Sequence, residues 1–369
     1  MKKVLLTTVL ALSAIAAFAQ FSTQTINVDG LNREFRQYLP SGLTNNESVP
    51  LVIALHGMGD NMLNFSNVGF SWFADTARFI CVFPQGINSD IVGQSSWNNG
   101  TLIGSTVDDI GFMNRLIDSM YVRHNIDLSR VYVCGFSMGA IMSNRLACSL
   151  PHRVAAIAPV CGALSSPDLT SCSPGRPFPV MMMNSTVDQL VPYAPASTPT
   201  LSSAQQTLDF WNQNNNNTDS TVTAMPDTQN DTINVDKIAF TGGGAPVNMW
   251  KQNNAGHQWL YTPVNDIDAT TEIWLFFRDK VHPAPAMVGL EEQAAPKVSM
   301  YYNGSDIVLK ADKKIQGVEV YDMQGKLLCQ STKNNTTETR LPLTNVSNQM
   351  LIVNVMVNGV MVAKKLAVN

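Results

Sequence analysis

Charge is scarce in this 369-residue chain: Asp, Glu, Lys and Arg together make up 14%, and the net charge is −4. No basic patch or stripe of the kind that neutralises phosphates is present, so nucleic-acid binding is excluded. The polar surface falls instead to Asn, Ser, Thr and Gln, as residues 212–218 and 334–337 show, a composition that suits a secreted protein. Long apolar runs are few. The one at the start has a basic Lys2-Lys3, an apolar stretch from Val4 to Ala17 and a small-x-small site at Ala17-Phe18-Ala19. Residues 1–19 therefore read as an export signal cleaved after Ala19. The run is short for a bilayer span and lacks a charged stop, and no other stretch suffices, so no stable membrane span is expected. The five histidines and six cysteines show no zinc-site spacing, and neither metal nor cofactor is expected. Export makes disulfides possible, while Cys81, Cys134 and Cys161 lie in apolar strand-like runs and read as small buried hydrophobes.

What is present is organised around residues 130–150, RVYVCGFSMGAIMSNRLACSL. The apolar run Val131-Tyr132-Val133 leads into Gly135-Phe136-Ser137-Met138-Gly139, and Ile141, Met142 and Leu146 follow at helical spacing. That pattern is strand, turn, helix. A serine on such a corner has small residues two positions to either side, which let the backbone pass close to itself and lift Oγ above the sheet edge. The helix that follows offers its free N–H groups and positive end to an oxyanion formed there.

Upstream, residues 23–39 alternate around Asp29-Gly30 as a hairpin. Pro50 to Leu55 and Phe79 to Phe83 are continuous apolar runs, the mark of strands buried on both faces of a mostly parallel sheet. The first ends at His56-Gly57-Met58-Gly59, where the Met58 N–H is a candidate oxyanion donor beside that of Met138 and His56 reads as a loop-orienting residue. The Asn- and Gly-rich loop from Gly93 to Gly104 carries Trp97, which either lines a cleft or covers the sheet. A helical pattern from Thr106 to about His124 suggests a cap at Thr106 with Asp109 three residues on. Further buried strands are expected at 154–160 and 179–183, the latter leading to Asp188. Then come a helix at 203–214, a polar excursion over 212–231, strands near 233–240 and 247–250, a loop at 255–259 and a helix at 268–281. This alternation predicts a doubly wound α/β sheet over residues 20–282. Residues 283–296 are a Pro- and Ala-bearing linker. Beyond it, residues 297–369 read as about seven short strands of a small all-β sandwich, with turns at Asn303-Gly304, Gln324-Gly325 and Asn358-Gly359. That unit has one Cys, no His and few aromatics (Tyr301, Tyr302, Tyr321), a poor set for catalysis or for stacking on sugars.

A serine hydroxyl needs a base within reach and a third group to orient that base. On a doubly wound sheet with this corner the chain order is Ser, acid, His, which sets aside His56 and His124. His152 lies beyond the end of the serine's own helix, about 20 Å away at 1.5 Å per residue. His282 abuts the linker, which leaves His257. Asp188 is the acid by position, at the end of a buried strand; Asp227, Asp231 and Asp236 lie in or beside the polar excursion, and Asp209 on a helix.

The ordered motifs PLVIALHG, VDDIGFMNRLID, GFSMGA, LAC, AAIAPVCG, RPFPV, the Asp188 segment followed by VPY, and Gly-His-x-Trp at 256–259 carry a family likeness. Over residues 27–282 the chain resembles secreted α/β-hydrolase esterases, specifically the polyhydroxybutyrate depolymerase and feruloyl esterase group, similar to carbohydrate esterase family 1. The resemblance implies Ser137 as nucleophile, Asp188 as acid, His257 as base and a Cys148–Cys172 disulfide. The implied activity is hydrolysis of a carboxylic ester, expected first to be a feruloyl ester of plant cell-wall xylan with Trp97 and Trp259 lining the acyl slot. A polyhydroxyalkanoate or an acetylxylan is the alternative, and a non-catalytic polysaccharide-binding protein is the rival from another class. Two departures stand out: Asn184-Ser185-Thr186-Val187-Asp188 replaces the usual His-Gly-Thr-x-Asp, and Trp259-Leu260-Tyr261 replaces Trp-Pro-Gly. The C-terminal unit, with GVEVYDMQGKLL and a last hairpin ending Lys364-Lys365-Leu366-Ala367-Val368, resembles the sorting domain of the type IX secretion system of Bacteroidetes. That likeness implies an extracellular or cell-surface protein whose partners are the secretion machinery and a polymeric ester substrate.

Overall fold

The computed structural model describes residues 20–101, 103–195, 200–285, 297–324, 326–343, 346, 349–357 and 360–368. The expected export signal, residues 1–19, and residues 286–296 of the expected linker lie outside the described residues. Two compact units, residues 1–26 with 33–287 and residues 27–32 with 288–369, are each described by themselves. No helix among the described residues is long and apolar enough to cross a membrane.

The chain opens with the hairpin β1 (Gln20–Val28) and β2 (Leu31–Leu39), all but residues 27–32 of it in the first unit, then β3 (Leu51–Leu55), the short helices α1 (Met62–Phe65) and α2 (Ser71–Ala77), and β4 (Ile80–Pro84). A two-stranded ribbon, β5 (Ile87–Asn88) and β6 (Ser95–Ser96), leads to α3 (Asp109–His124). The centre is β7 (Val131–Phe136), α4 (Met138–Ser149), β8 (Ala156–Val160), α5 (Ser166–Ser171) and β9 (Val180–Ser185). α6 (Ala204–Asn215), β10 (Asp219–Ala224), β11 (Asn234–Thr241), β12 (Val247–Asn253) and α7 (Ala269–Phe277) complete the first unit. The ten-stranded sheet has the order β1-β2-β4-β3-β7-β8-β9-β12-β11-β10. From β4 through β12 all neighbours pair parallel, while β2 and the β11–β10 edge run antiparallel. Every residue of β3, β4, β8 and β9 is buried, as strands covered by helices on both faces must be. This is the expected doubly wound α/β sheet.

Two local expectations change. The cap of α3 is Asp108, which accepts the Gly111 N–H, and not Thr106. Asp109 is drawn inward instead, where its Oδ1 takes Arg33 at 2.6 Å and its Oδ2 takes the Asn98 N–H at 2.6 Å and the Ser105 hydroxyl at 3.0 Å. Part of the polar excursion forms β10, an edge strand whose six residues are all exposed and which, among the described residues, pairs with β11 alone, so no inward-facing apolar side chain announces it. The helix expected from Ser203 is found as α6, with Ser203 as its N-cap in a full capping box with Gln206.

The second unit holds five strands among the described residues, not seven: β13 (Val298–Tyr302), β14 (Asp306–Tyr321), β15 (Leu327–Pro342), β16 (Gln349–Val357) and β17 (Val360–Val368). All pair antiparallel. β14 and β15 are 16 residues each and stay paired across register shifts near Ile315, so each does the work of two short strands. Ile307, Leu309, Ile315, Val318, Val320, Leu351, Val353, Val355 and Val357 form its core.

Candidate active site

The site gathers at the carboxyl ends of β3 and β7. These pair in parallel with Leu55 opposite Gly135, and the chain order reverses across them, since β4 lies beyond β3 and β8 beyond β7. Such a switch point leaves a crevice at the strand ends.

Ser137 follows β7 with φ 53° and ψ −116°, a left-handed conformation that costs a residue with a side chain on the order of 1–3 kcal/mol. Its N–H donates to Val160 O at 2.9 Å, and its carbonyl accepts from the N–H groups of Ala140 and Ile141 at 2.9 and 3.0 Å. The corner needs its glycines: a Cβ on Gly139 would overlap Leu55 O, and one on Gly135 would lie 2.5 Å from the Gly139 carbonyl carbon. Met138 opens α4, where the N–H has no acceptor inside the helix. Opposite it, a Cβ on Gly57 would come within 3.5 Å of Ser137 Cβ, which places the Met58 loop against the serine.

Buried groups hold that loop. His56 Nδ1 donates to Gly57 O at 2.7 Å, and its Nε2 accepts the Gly86 N–H at 2.9 Å, which sets the Nδ1–H tautomer. Burial holds the His56 imidazole below its ordinary pKa, against weaker pulls from Gly57, Asp60 and Asp109. Trp97 is fully buried and donates Nε1–H to His56 O at 2.9 Å. It covers the loop from within and offers no face to an acyl slot, which corrects the expectation that it lines one. Gly59 N–H donates to Ser95 O at 2.9 Å, and Asn99 Nδ2 sits 2.5 Å from Met138 Sδ, so the 95–99 segment holds the residue after Met58 and touches Met138 itself.

On the other side of the serine, the Asp188 side chain is fully buried. Its Oδ1 accepts the N–H groups of Leu190 and Val191 at 2.8 and 3.0 Å, and its Oδ2 faces His257 Nδ1 at 2.7 Å. With Nδ1 taken by the carboxylate, Nε2 is the nitrogen left to exchange a proton. The Phe136 ring lies 5.0 Å from the His257 ring, centroid to centroid, which sets the imidazole beside the residue preceding Ser137. Ser137 does not cap its own helix, and among the described residues its hydroxyl forms no hydrogen bond with His257. Such bonds are often open in ligand-free sites and close around substrate. Trp259 is half-buried, donates Nε1–H to Thr270 Oγ1 at 3.1 Å and meets Phe65 edge-on at 5.7 Å and Phe136 at 6.5 Å.

Two groups escaped the sequence reading. Ser185, ending β9, accepts the Val187 N–H at 3.3 Å and the Gly256 N–H at 3.0 Å. Cys161 is buried as expected, yet it lies just past β8 at φ 51° and donates its thiol to Gln258 O at 3.4 Å. Burial, helped by the Asp188 charge, pushes that thiol up to about 12. Cys161, Asp188 and His257 bring ligand atoms within 4.8 Å of one another, though carboxylate and imidazole are already paired. Cys148 and Cys172 form a disulfide with Cα atoms 5.2 Å apart. It joins the last turn of α4 to the end of α5, and an Arg145–Asp168 ion pair at 3.0 Å reinforces the junction.

Residues 34–190 match the family model described as Esterase PHB depolymerase, and residues 289–368 match a Domain of unknown function (DUF8694). The bifunctional acetylxylan esterase/xylanase of Neocallimastix patriciarum is 33% identical over 167 residues, 44% of this chain and 22% of that protein. Poly(3-hydroxyalkanoate) depolymerase C of Paucimonas lemoignei is 31% identical over 42% of this chain and 37% of its own length. Feruloyl esterase B of Piromyces equi is 33% identical over 42% of this chain and 29% of its own length. The matched stretches thus cover less than two fifths of each of these three relatives. The family model stops at residue 190, short of His257. The segment that carries Ser137 and Asp188 is thus similar in sequence to the family described as Esterase PHB depolymerase.

Proposed function

We propose that the first unit is a serine esterase. Ser137 Oγ attacks the ester carbonyl carbon while His257 Nε2 takes its proton, and Asp188 holds the imidazole and the positive charge it acquires. The oxyanion faces the N–H groups of Met138 and Met58. When the tetrahedral intermediate collapses, the C–O bond to the alcohol breaks and the imidazolium returns the proton to that oxygen, leaving an acyl ester on Ser137. Water, deprotonated by His257, attacks the acyl ester; the C–O bond to Ser137 Oγ breaks, the imidazolium returns the proton to that oxygen, and the acid leaves. The buried Asp188–His257 pair at 2.7 Å, flanking a strained serine at a strand-to-helix corner, is the observation that carries this reading.

For the substrate we infer an ester carried on a polymer, first a feruloyl ester of xylan. Phe136 and Trp259, half-buried beside the triad, suit an aromatic acyl group, and the named relatives include a feruloyl esterase and an acetylxylan esterase. The polyester reading keeps second place because a poly(3-hydroxyalkanoate) depolymerase is also among them. The test compares ferulate release from arabinoxylan by residues 20–369 and by the Ser137→Ala variant. Release by the parent alone supports both nucleophile and substrate; cleavage of p-nitrophenyl acetate without ferulate release moves the substrate to acetyl or polyester groups. Loss of neither activity on Ser137→Ala removes the mechanism. We also read residues 1–19 as the export signal and residues 297–369 as a sorting unit, so that deleting 297–369 should hold the enzyme inside the outer membrane of a type IX-secreting host.

A further inference from the structure

His257 sits between β12 and α7 in a stretch with neither helix nor strand, so no ladder of its own places it. Two buried side chains do so from either side. Before it, the Gly256 N–H donates to Ser185 Oγ at 3.0 Å; after it, Gln258 O accepts the Cys161 thiol at 3.4 Å. Ser185 and Cys161 are both fully buried. They stand at the ends of adjacent parallel strands: Val160 of β8 lies opposite Met183 of β9, and the Cys161 N–H donates to Met183 O at 2.8 Å. Ser185 Oγ accepts the Val187 N–H as well, so one oxygen grips both the turn that carries Asp188 and the loop that carries His257.

We propose that Ser185 and Cys161 are positioning residues, a two-sided clamp on the peptide units flanking His257 that keeps Nδ1 on Asp188 and Nε2 directed to the serine. A buried thiol pushed up to about 12 stays protonated at neutral pH and can keep donating. The kinetic part of the proposal rests on the esterase reading.

The experiment prepares Ser185→Ala, Cys161→Ala, the double variant and the conservative Cys161→Ser. kcat and KM are measured on p-nitrophenyl acetate, Tm is recorded, and the downfield proton resonance of His257 Nδ1–H is followed, assigned by its loss in His257→Gln. Each alanine should lower kcat about tenfold with KM held within about twofold, and the double variant about a hundredfold, since a small misplacement of a catalytic group costs rate and not binding. The Nδ1 proton should broaden in each, and Cys161→Ser should recover most of both signals. Unchanged kcat and resonance in the double variant would overturn the clamp, as would a kcat loss that only tracks loss of folded protein while the resonance stays sharp. The resonance does not depend on turnover. If Ser137→Ala stays active, the serine mechanism falls while the clamp is still decided by the proton signal.

Discussion

Asp188→Asn tests the site most directly. Asparagine keeps an oxygen for the N–H groups of Leu190 and Val191, at 2.8 and 3.0 Å in the parent, and puts an NH2 where Oδ2 now stands 2.7 Å from His257 Nδ1. An amide NH2 only donates, so it can face only an Nδ1 without a proton, and the imidazole must carry its proton on Nε2. In that tautomer Nε2 cannot accept the Ser137 proton. The expected loss is on the order of 10⁴ in kcat, or about 5 kcal/mol of transition-state stabilisation. Fold stability should change far less, by about 1 kcal/mol, because volume and both backbone bonds survive. The assay is turnover of p-nitrophenyl acetate with kcat and KM separated, beside Tm. A variant within about tenfold of the parent kcat at unchanged Tm would mean that His257 does not depend on Asp188, and the assignment of both residues would fall.

Replacing Cys148 and Cys172 together by alanine opens a loop with a sequence separation of 24. Loop-closure entropy puts the loss at about 3 kcal/mol, or roughly 6 °C in Tm for a unit of this size, and equal melting of variant and parent would refute that contribution. Burial is the leading cause that lowers the pKa of His56, His124, His152 and His282. The unfolded chain therefore binds protons more readily at each, so stability is full above about pH 6.5 and falls as the pH drops below it, by at most about 1.4 kcal/mol per pH unit per histidine. Glu272, whose carboxyl burial raises, works in the opposite direction. A Tm that does not fall between pH 7.5 and pH 5.5 would refute the histidine linkage. Trp97→Ala should cost about 3–5 kcal/mol of stability and leave KM for a small ester unchanged; a raised KM at unchanged stability would return Trp97 to the acyl slot.

The order of the central elements was legible because continuous apolar runs such as Pro50–Leu55 and the Gly-Phe-Ser-Met-Gly corner are local patterns, and the burial they demand is met on both faces of the sheet. What stayed hidden is non-local. Asp109 reads as the third residue of a capping box until Arg33, 76 positions away, claims it at 2.6 Å and leaves the cap to Asp108. β10 has no inward face to announce it, and β14 and β15 look like four strands because their bends fall where short strands would end. The candidate site divides along the same line. Ser137 shows itself by its neighbours in sequence, and Asp188 and His257 by chain order. The atoms that hold His257 come from Ser185 and Cys161, 71 positions from Gly256 and 97 from Gln258, through side chains that in sequence are an ordinary serine and an ordinary buried cysteine. A role of that kind is a property of two strand ends meeting one loop. It follows that a serine at the end of β9 acquires meaning only through the N–H groups it meets, which is why the double variant, and not either sequence position alone, decides what these residues do.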